Sequence, residues 1–151
     1  MSVPVGDRKE SKAEYMDVAL RLVLHTKSCC RKFPKSAMFI TTTDLIHTAN
    51  EIGKHIVQAN ARYPNTEWDV EYRRGHLQEA RGLLDWLDFG VQQAYELYHG
   101  VVRPIEDGGT VPKDTKIKVS DYGWEEWGRL IYKAKNLVDK VMASDRARLK
   151  K

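Results

Sequence analysis

Imidazole and carboxylate side chains one helical turn apart are the first features of this sequence that could do chemistry. Asp44-Leu45-Ile46-His47 sets such a pair three positions apart. In a helical bundle, a di-iron centre needs a carboxylate from each of two helices and a Glu-x-x-His pair from each of two others, all facing inward. The set is not completed. His76-Leu77-Gln78-Glu79 runs in the reverse order, and Glu51 with His55 is an i, i+4 pair of ordinary helix surface. The sequence also lacks a His-Glu-x-x-His zinc signature, a Cys-x-x-Cys pair, a Gly-x-x-x-x-Gly-Lys phosphate loop and a Gly-x-Ser-x-Gly elbow. Its serines fall at termini or helix ends, where capping explains them. The expectation is a protein with no metal, no cofactor and no catalytic residue, and so not an enzyme.

The two cysteines, Cys29 and Cys30, are adjacent. A disulfide between them would be strained and would close almost no loop. Cys29 falls near the end of a helix, where the dipole raises a thiol pKa while Lys27, Arg31 and Lys32 oppose it. Both read as small apolar helix residues in a reduced, cytoplasmic setting. No secretory leader is expected in the first ten residues. The run Ser36 to Thr43 is far shorter than the roughly 18 apolar residues a membrane-spanning helix needs, so no membrane association is expected.

Basic charge is the remaining candidate for function. Lys and Arg number 25 against 21 Asp and Glu, a formal net charge of +4 in 151 residues. Residues 1–35 and 101–151 each carry +4, whereas 36–60 carry −1 and 61–100 carry −3. Basic loci therefore form at Lys27-Arg31-Lys32-Lys35, at the loop lysines Lys113, Lys116 and Lys118, and in the tail Arg146-Ala147-Arg148-Leu149-Lys150-Lys151. Such loci suit phosphate contacts whose affinity falls with salt. They also solvate helix ends and complement C-terminal dipoles, and composition leaves both readings open.

The elements that must position these charges are helical. Hydrophobic residues at 42% and charged residues at 30% are the balance of a globular chain, and the length suits one domain, 1–151. Apolar seams with alternating three- and four-residue spacing predict four helices, at about 11–32, 36–61, 66–99 and 121–145. The seams are Tyr15, Ala19, Leu22, Thr26, Cys29; then Met38, Thr42, Leu45, Ala49, Ile52, Ile56, Ala59; then Leu77, Ala80, Leu84, Leu87, Val91, Ala94, Tyr98; and last Trp124, Trp127, Ile131, Ala134, Val138, Val141. Ser36 is the expected cap of the second helix, Asn65 or Thr66 of the third, and Ser120 or Asp121 of the fourth. A long loop, 101–119, separates the last two helices, and Lys113 to Val119 has a weak alternation suited to a short extended arm. The economical fold is all-α, an up-down-up-down four-helix bundle.

Two helices carry a second apolar face: Leu83, Trp86 and Gly90 on the third, and Phe39, Ile46 and Gly53 on the second. Self-association is the simplest way to cover such faces in a small bundle.

The break Lys32-Phe33-Pro34-Lys35, followed by Phe39, resembles that of the four-helix-bundle family containing the accessory variability determinant proteins of diversity-generating retroelements. More distantly it is similar to the ribosomal-RNA intervening-sequence proteins. Ala59 with Arg62-Tyr63, then Arg73-Arg74, Leu77, Arg81, Leu83-Leu84 and Leu87, then Trp127-Gly128-Arg129 extend the likeness over roughly Tyr15 to Val141. The resemblance implies a non-enzymatic accessory protein that forms a homopentameric barrel and binds a reverse transcriptase and nucleic acid, template RNA and also DNA. By the same resemblance Lys32, Lys35, Arg73, Arg74, Arg81 and Arg129 are the candidate nucleic-acid contacts. The alternative is a structural or regulatory oligomer acting through protein–protein contacts alone.

Overall fold

The computed structural model describes residues 10–99 and 119–149, with side chains from residue 14 onward in the first helix. Four long helices account for most of them: α1 (Glu10–Cys30), α2 (Thr43–Asn60), α3 (Glu67–Tyr98) and α4 (Asp121–Leu149). No strand occurs among the described residues. The loop 101–119, apart from Val119, lies outside them. So do the three loop lysines, with all of the expected extended arm but its last residue, and Lys150 and Lys151.

α2 packs on α1 and α3, and α4 packs on the same two helices, which encloses one core. The predicted seams of α1 and α3 are buried at every position. The α4 seam is buried from Trp124 to Val138, with Val141 half-buried. Removing each large apolar side chain from water contributes about 1.5–3 kcal/mol, so periodicity decides the fold here ahead of local propensity. At Gly90 the α3 backbone leaves room for the Leu45 side chain of α2. A Cβ there would stand 2.8 Å from a Leu45 methyl, inside contact distance.

Helix starts follow the chemistry of their caps. Thr66 has extended backbone, φ −120° and ψ 166°, and its hydroxyl accepts the Asp69 N–H at 3.1 Å. The Asp69 carboxylate in turn accepts the Thr66 N–H at 3.2 Å, a reciprocal capping box. At α4 the Ser120 hydroxyl accepts the Gly123 N–H at 3.1 Å. Ser36 does not cap the second helix. Pro34 takes the extended position instead, with ψ 151°; its ring offers no side-chain acceptor, and its carbonyl accepts the Ala37 N–H at 2.9 Å to close the turn. The chain then enters through a tight 3₁₀ turn, Lys35–Ala37, and a wide π turn, Met38–Thr42, before settling into α2. The fourth helix continues to Leu149, four residues beyond its expected end.

Phe33 closes the corner between α1 and α2 by inserting its ring among Tyr98, Trp124 and Trp127, with centroids 5.4, 5.9 and 6.3 Å away. Beneath that cluster the Trp127 indole N–H donates to the Thr26 hydroxyl at 2.9 Å, and that hydroxyl donates to the Leu22 carbonyl at 2.8 Å. Both side chains are fully buried. Thr26→Val keeps the shape and removes the acceptor, stranding a buried indole N–H. The expected loss is about 1–3 kcal/mol of stability, read from the urea midpoint followed by helical circular dichroism; an unchanged midpoint would contradict the bond's importance.

Candidate nucleic-acid interface

The six basic residues carried by the resemblance fall into different environments. Lys32 and Lys35 flank the buried Phe33-Pro34 pair and are exposed. The chain turns at Lys32 and bends at Phe33, so the ring enters the core while the lysines on either side of the Phe33-Pro34 pair stay at the surface. Arg129 sits on the first third of α4, exposed, and its Nε donates to Glu126 at 2.8 Å. That hydrogen bond is the chief reason the Glu126 carboxyl is held below its ordinary pKa. Arg81, midway along α3, donates to Asp85 at 2.7 Å and to Asp139 of α4 at 3.2 Å. Lys135 reaches the same Asp85 at 3.0 Å, and hydrogen bonds from Lys135 and then Arg81 keep that carboxyl below the usual range. Arg74 is exposed beside Glu71 at 3.7 Å.

Arg73 is different in kind. Its guanidinium is buried and makes four hydrogen bonds: Nε and Nη2 donate to the two Asp145 oxygens at 2.7 and 3.3 Å, and Nη1 donates to the carbonyls of Ala59 and Arg62 at 3.0 and 2.7 Å. The adjacent Tyr15 phenol, whose OH donates to Asn60 at 2.9 Å, has its pKa raised by burial against the lowering effect of Arg73. With four of its five N–H donors committed and its side chain only 8% exposed, Arg73 here ties the helices together rather than presenting its charge at the surface.

The six do not form one patch. Phe33 packs beside Trp124, while Arg73 bonds Asp145, and those two α4 positions lie about 30 Å apart along the helix. Lys32 and Lys35 thus belong to one end of α4 and Arg73 and Arg74 to the other.

At this second end lies a group that charge counting missed. The Arg62 guanidinium stands over the rings of Trp68 and Tyr72, 4.2 and 5.0 Å from their centroids, and Arg148 covers Tyr63 at 4.6 Å. Trp68 stacks on Tyr72 at 5.8 Å, and Tyr72 meets His76 edge-on at 4.8 Å. The signal was present in the sequence, as aromatic rings at 68, 72 and 76, one α-helical turn apart.

The second apolar faces are partly internal. Gly90 faces Leu45, the nearest atom to a Cβ on Gly53 is a Val23 methyl at 3.4 Å, and Ile46 and Leu83 pack against the core. Phe39, Ile40, Trp86 and Phe89 remain at least half exposed. Ile40 and Phe89 join Tyr95, Leu97 and Trp124 around an open groove of about 960 Å³.

The remaining chemical groups are quiet. The His25 Nε2–H donates to the Gly123 carbonyl at 2.7 Å, with Cys29 Sγ 3.3 Å from the same nitrogen. Burial pushes the Cys29 thiol up to about 11 and the Cys30 thiol up to about 12. His55 and His76 share one hydrogen between Nδ1 atoms 3.0 Å apart. Among the described residues, no three His, Cys, Asp or Glu side chains are grouped to hold a metal, and no helix is long and apolar enough to cross a membrane. No family model matches the chain, and no curated protein matches it.

Removing the Asp145 carboxylate (Asp145→Ala) leaves Arg73 buried and unpaired and should cost about 3–5 kcal/mol in chemical denaturation, whereas Arg74→Ala should stay within about 0.5 kcal/mol. Iodoacetamide at pH 8 should modify both thiols at least about a hundredfold more slowly in the folded protein than in urea, because so little thiolate is present and neither sulfur is exposed. Equal rates in the two conditions would contradict the burial.

Proposed function

We propose that the chain is a non-enzymatic accessory protein of a diversity-generating retroelement. On this reading it is an up-down-up-down bundle assembled as a homopentameric barrel in the cytoplasm, which holds a reverse transcriptase and its template RNA or the copied DNA. The observation that supports it most directly is the Phe33-Pro34 corner. The residues that carry the resemblance are the ones that close the core, and they set Lys32 and Lys35 outside it, exposed. Neither lysine is held in an ion pair among the described residues, so both are open to phosphate.

A second reading, an oligomer acting through protein contacts alone, is favoured by the exposed apolar side chains. Phe39 is 90% and Ile40 75% exposed, and surfaces of this kind are commonly covered by another chain. On the first reading the same side chains meet neighbouring copies in the barrel.

Salt-titrated binding of single-stranded RNA separates the two. Affinity should fall linearly in a log–log plot, and Lys32→Ala and Lys35→Ala should each reduce the slope by about 0.7. Absent or salt-independent binding would favour the second reading. Mass in solution tests the assembly. The 17.4 kDa chain should run as a pentamer, with Phe39→Glu and Trp86→Glu reducing its mass, and a monomeric wild type would contradict both readings.

A further inference from the structure

Trp68, Tyr72 and His76 occupy successive turns of α3 and form a continuous ladder of rings, with Trp68 59% exposed at its outer end. Two cations are stacked on aromatic faces at the same end of the molecule, Arg62 over Trp68 and Tyr72, and Arg148 over Tyr63. Arg62 is lightly held. Its ion pair with Asp69 is 3.5 Å long and its side chain is 45% exposed, so a flat ligand can take its place over the indole while the guanidinium turns toward an anion. Arg148 also bonds the Tyr63 hydroxyl, which fixes a second cation on the neighbouring segment.

We propose that this ladder is a stacking platform for single-stranded nucleic acid, with a base lying on Trp68 and a second on Tyr72, while Arg62 and Arg148 take the flanking phosphates. The inference rests on the nucleic-acid half of the function proposed above and deepens it by naming a strand class and a site. Every base has a π face, so stacking on exposed rings beside arginines binds single strands with little regard to sequence. A duplex hides those faces and gains nothing here.

The surroundings suit this ligand better than a protein partner. The ladder is interrupted by charge at Glu67, Asp69, Glu71 and Arg74, which breaks up any contiguous apolar patch. Two of the three carboxylates, Asp69 and Glu71, are engaged. Asp69 is bound by the Thr66 hydroxyl and N–H, which stay in place when Arg62 turns away, with the Thr66 hydroxyl bond the main cause of its lowered pKa, and Glu71 stands beside Arg74. With few unopposed cations, the platform should contribute through stacking more than through counterion release.

The test uses the full chain, a fluorescein-labelled 12-nucleotide oligouridine RNA and an RNA duplex of the same length. Trp68→Ala should weaken oligouridine binding about tenfold while leaving duplex binding and the salt slope unchanged, and Trp68→Phe should recover part of the loss. Thermal melts of both variants should match the wild type, since the side chain removed is mostly in solvent. Wild-type affinity in Trp68→Ala, with the wild type binding oligouridine, overturns the platform and leaves the broader nucleic-acid reading standing. No oligouridine binding by the wild type at low salt overturns both. A change in solution mass on Trp68→Ala with RNA affinity unaltered assigns the ladder to a protein interface and overturns the proposal.

Discussion

A buried guanidinium is tolerable only when its charge and its donors are all met, and Arg73 imposes that condition on the whole bundle. Asp145 near the end of α4 supplies the counter-charge, the carbonyls of Ala59 and Arg62 close the end of α2, and the Tyr15 phenol of α1 stands beside the group. All four helices therefore meet at one side chain. Hydrophobic seams allow neighbouring helices to slide by a turn at modest cost, whereas a fork of four hydrogen bonds fits in one register. Because α4 runs on to Leu149, Asp145 lies inside regular helix rather than at its last residue, facing Arg73 of α3.

The opposite end of α4 is held by aromatic packing. Phe33, Trp124, Trp127 and Tyr98 fill the space between the α1 corner and the two long helices; the Thr26 hydroxyl satisfies the Trp127 indole N–H, while that of Trp124 is buried with no hydrogen-bond partner among the described residues. Polar fastening at one end and ring packing at the other keep the long helices aligned. They leave two exposed surfaces of contrasting chemistry: aliphatic and aromatic side chains around the groove, and rings with arginines beside the α2–α3 turn.

Much of this was legible in the sequence because burial is periodic. The seams of α1, α3 and α4 appear in the residue pattern and recur in the core, and Thr66 and Ser120 advertised their caps by type and position. What escaped was whatever depends on a partner distant in sequence. Arg73 and Arg74 look alike in the chain, yet one is buried because Asp145 lies 72 positions away, and no local rule separates them. Gly90 and Gly53 look like parts of outward faces until Leu45 and Val23 are seen beside them. The count of 25 Lys and Arg likewise overstates the cations on offer, since Arg73, Arg81, Arg129 and Lys135 are already committed to carboxylates.

The π turn at Met38–Thr42 has a consequence for how this protein can change over generations. A π turn holds one more residue than the α-helical turn it replaces, and Thr43 closes it by bonding the Met38 carbonyl. Loss of a residue between 38 and 42 would let the segment relax to an ordinary α-helix, leaving Leu45, Ala49, Ile52 and Ile56 in phase with α1 and α3. Length variation is thus absorbed ahead of the α2 seam, with Thr41, buried and hydrogen-bonded to the Tyr98 hydroxyl at 3.1 Å, the position of the turn that the core holds. Met38, Phe39 and Ile40, which face solvent there, are free to diverge with whatever they touch, while the remainder of α2 stays under the constraints of packing.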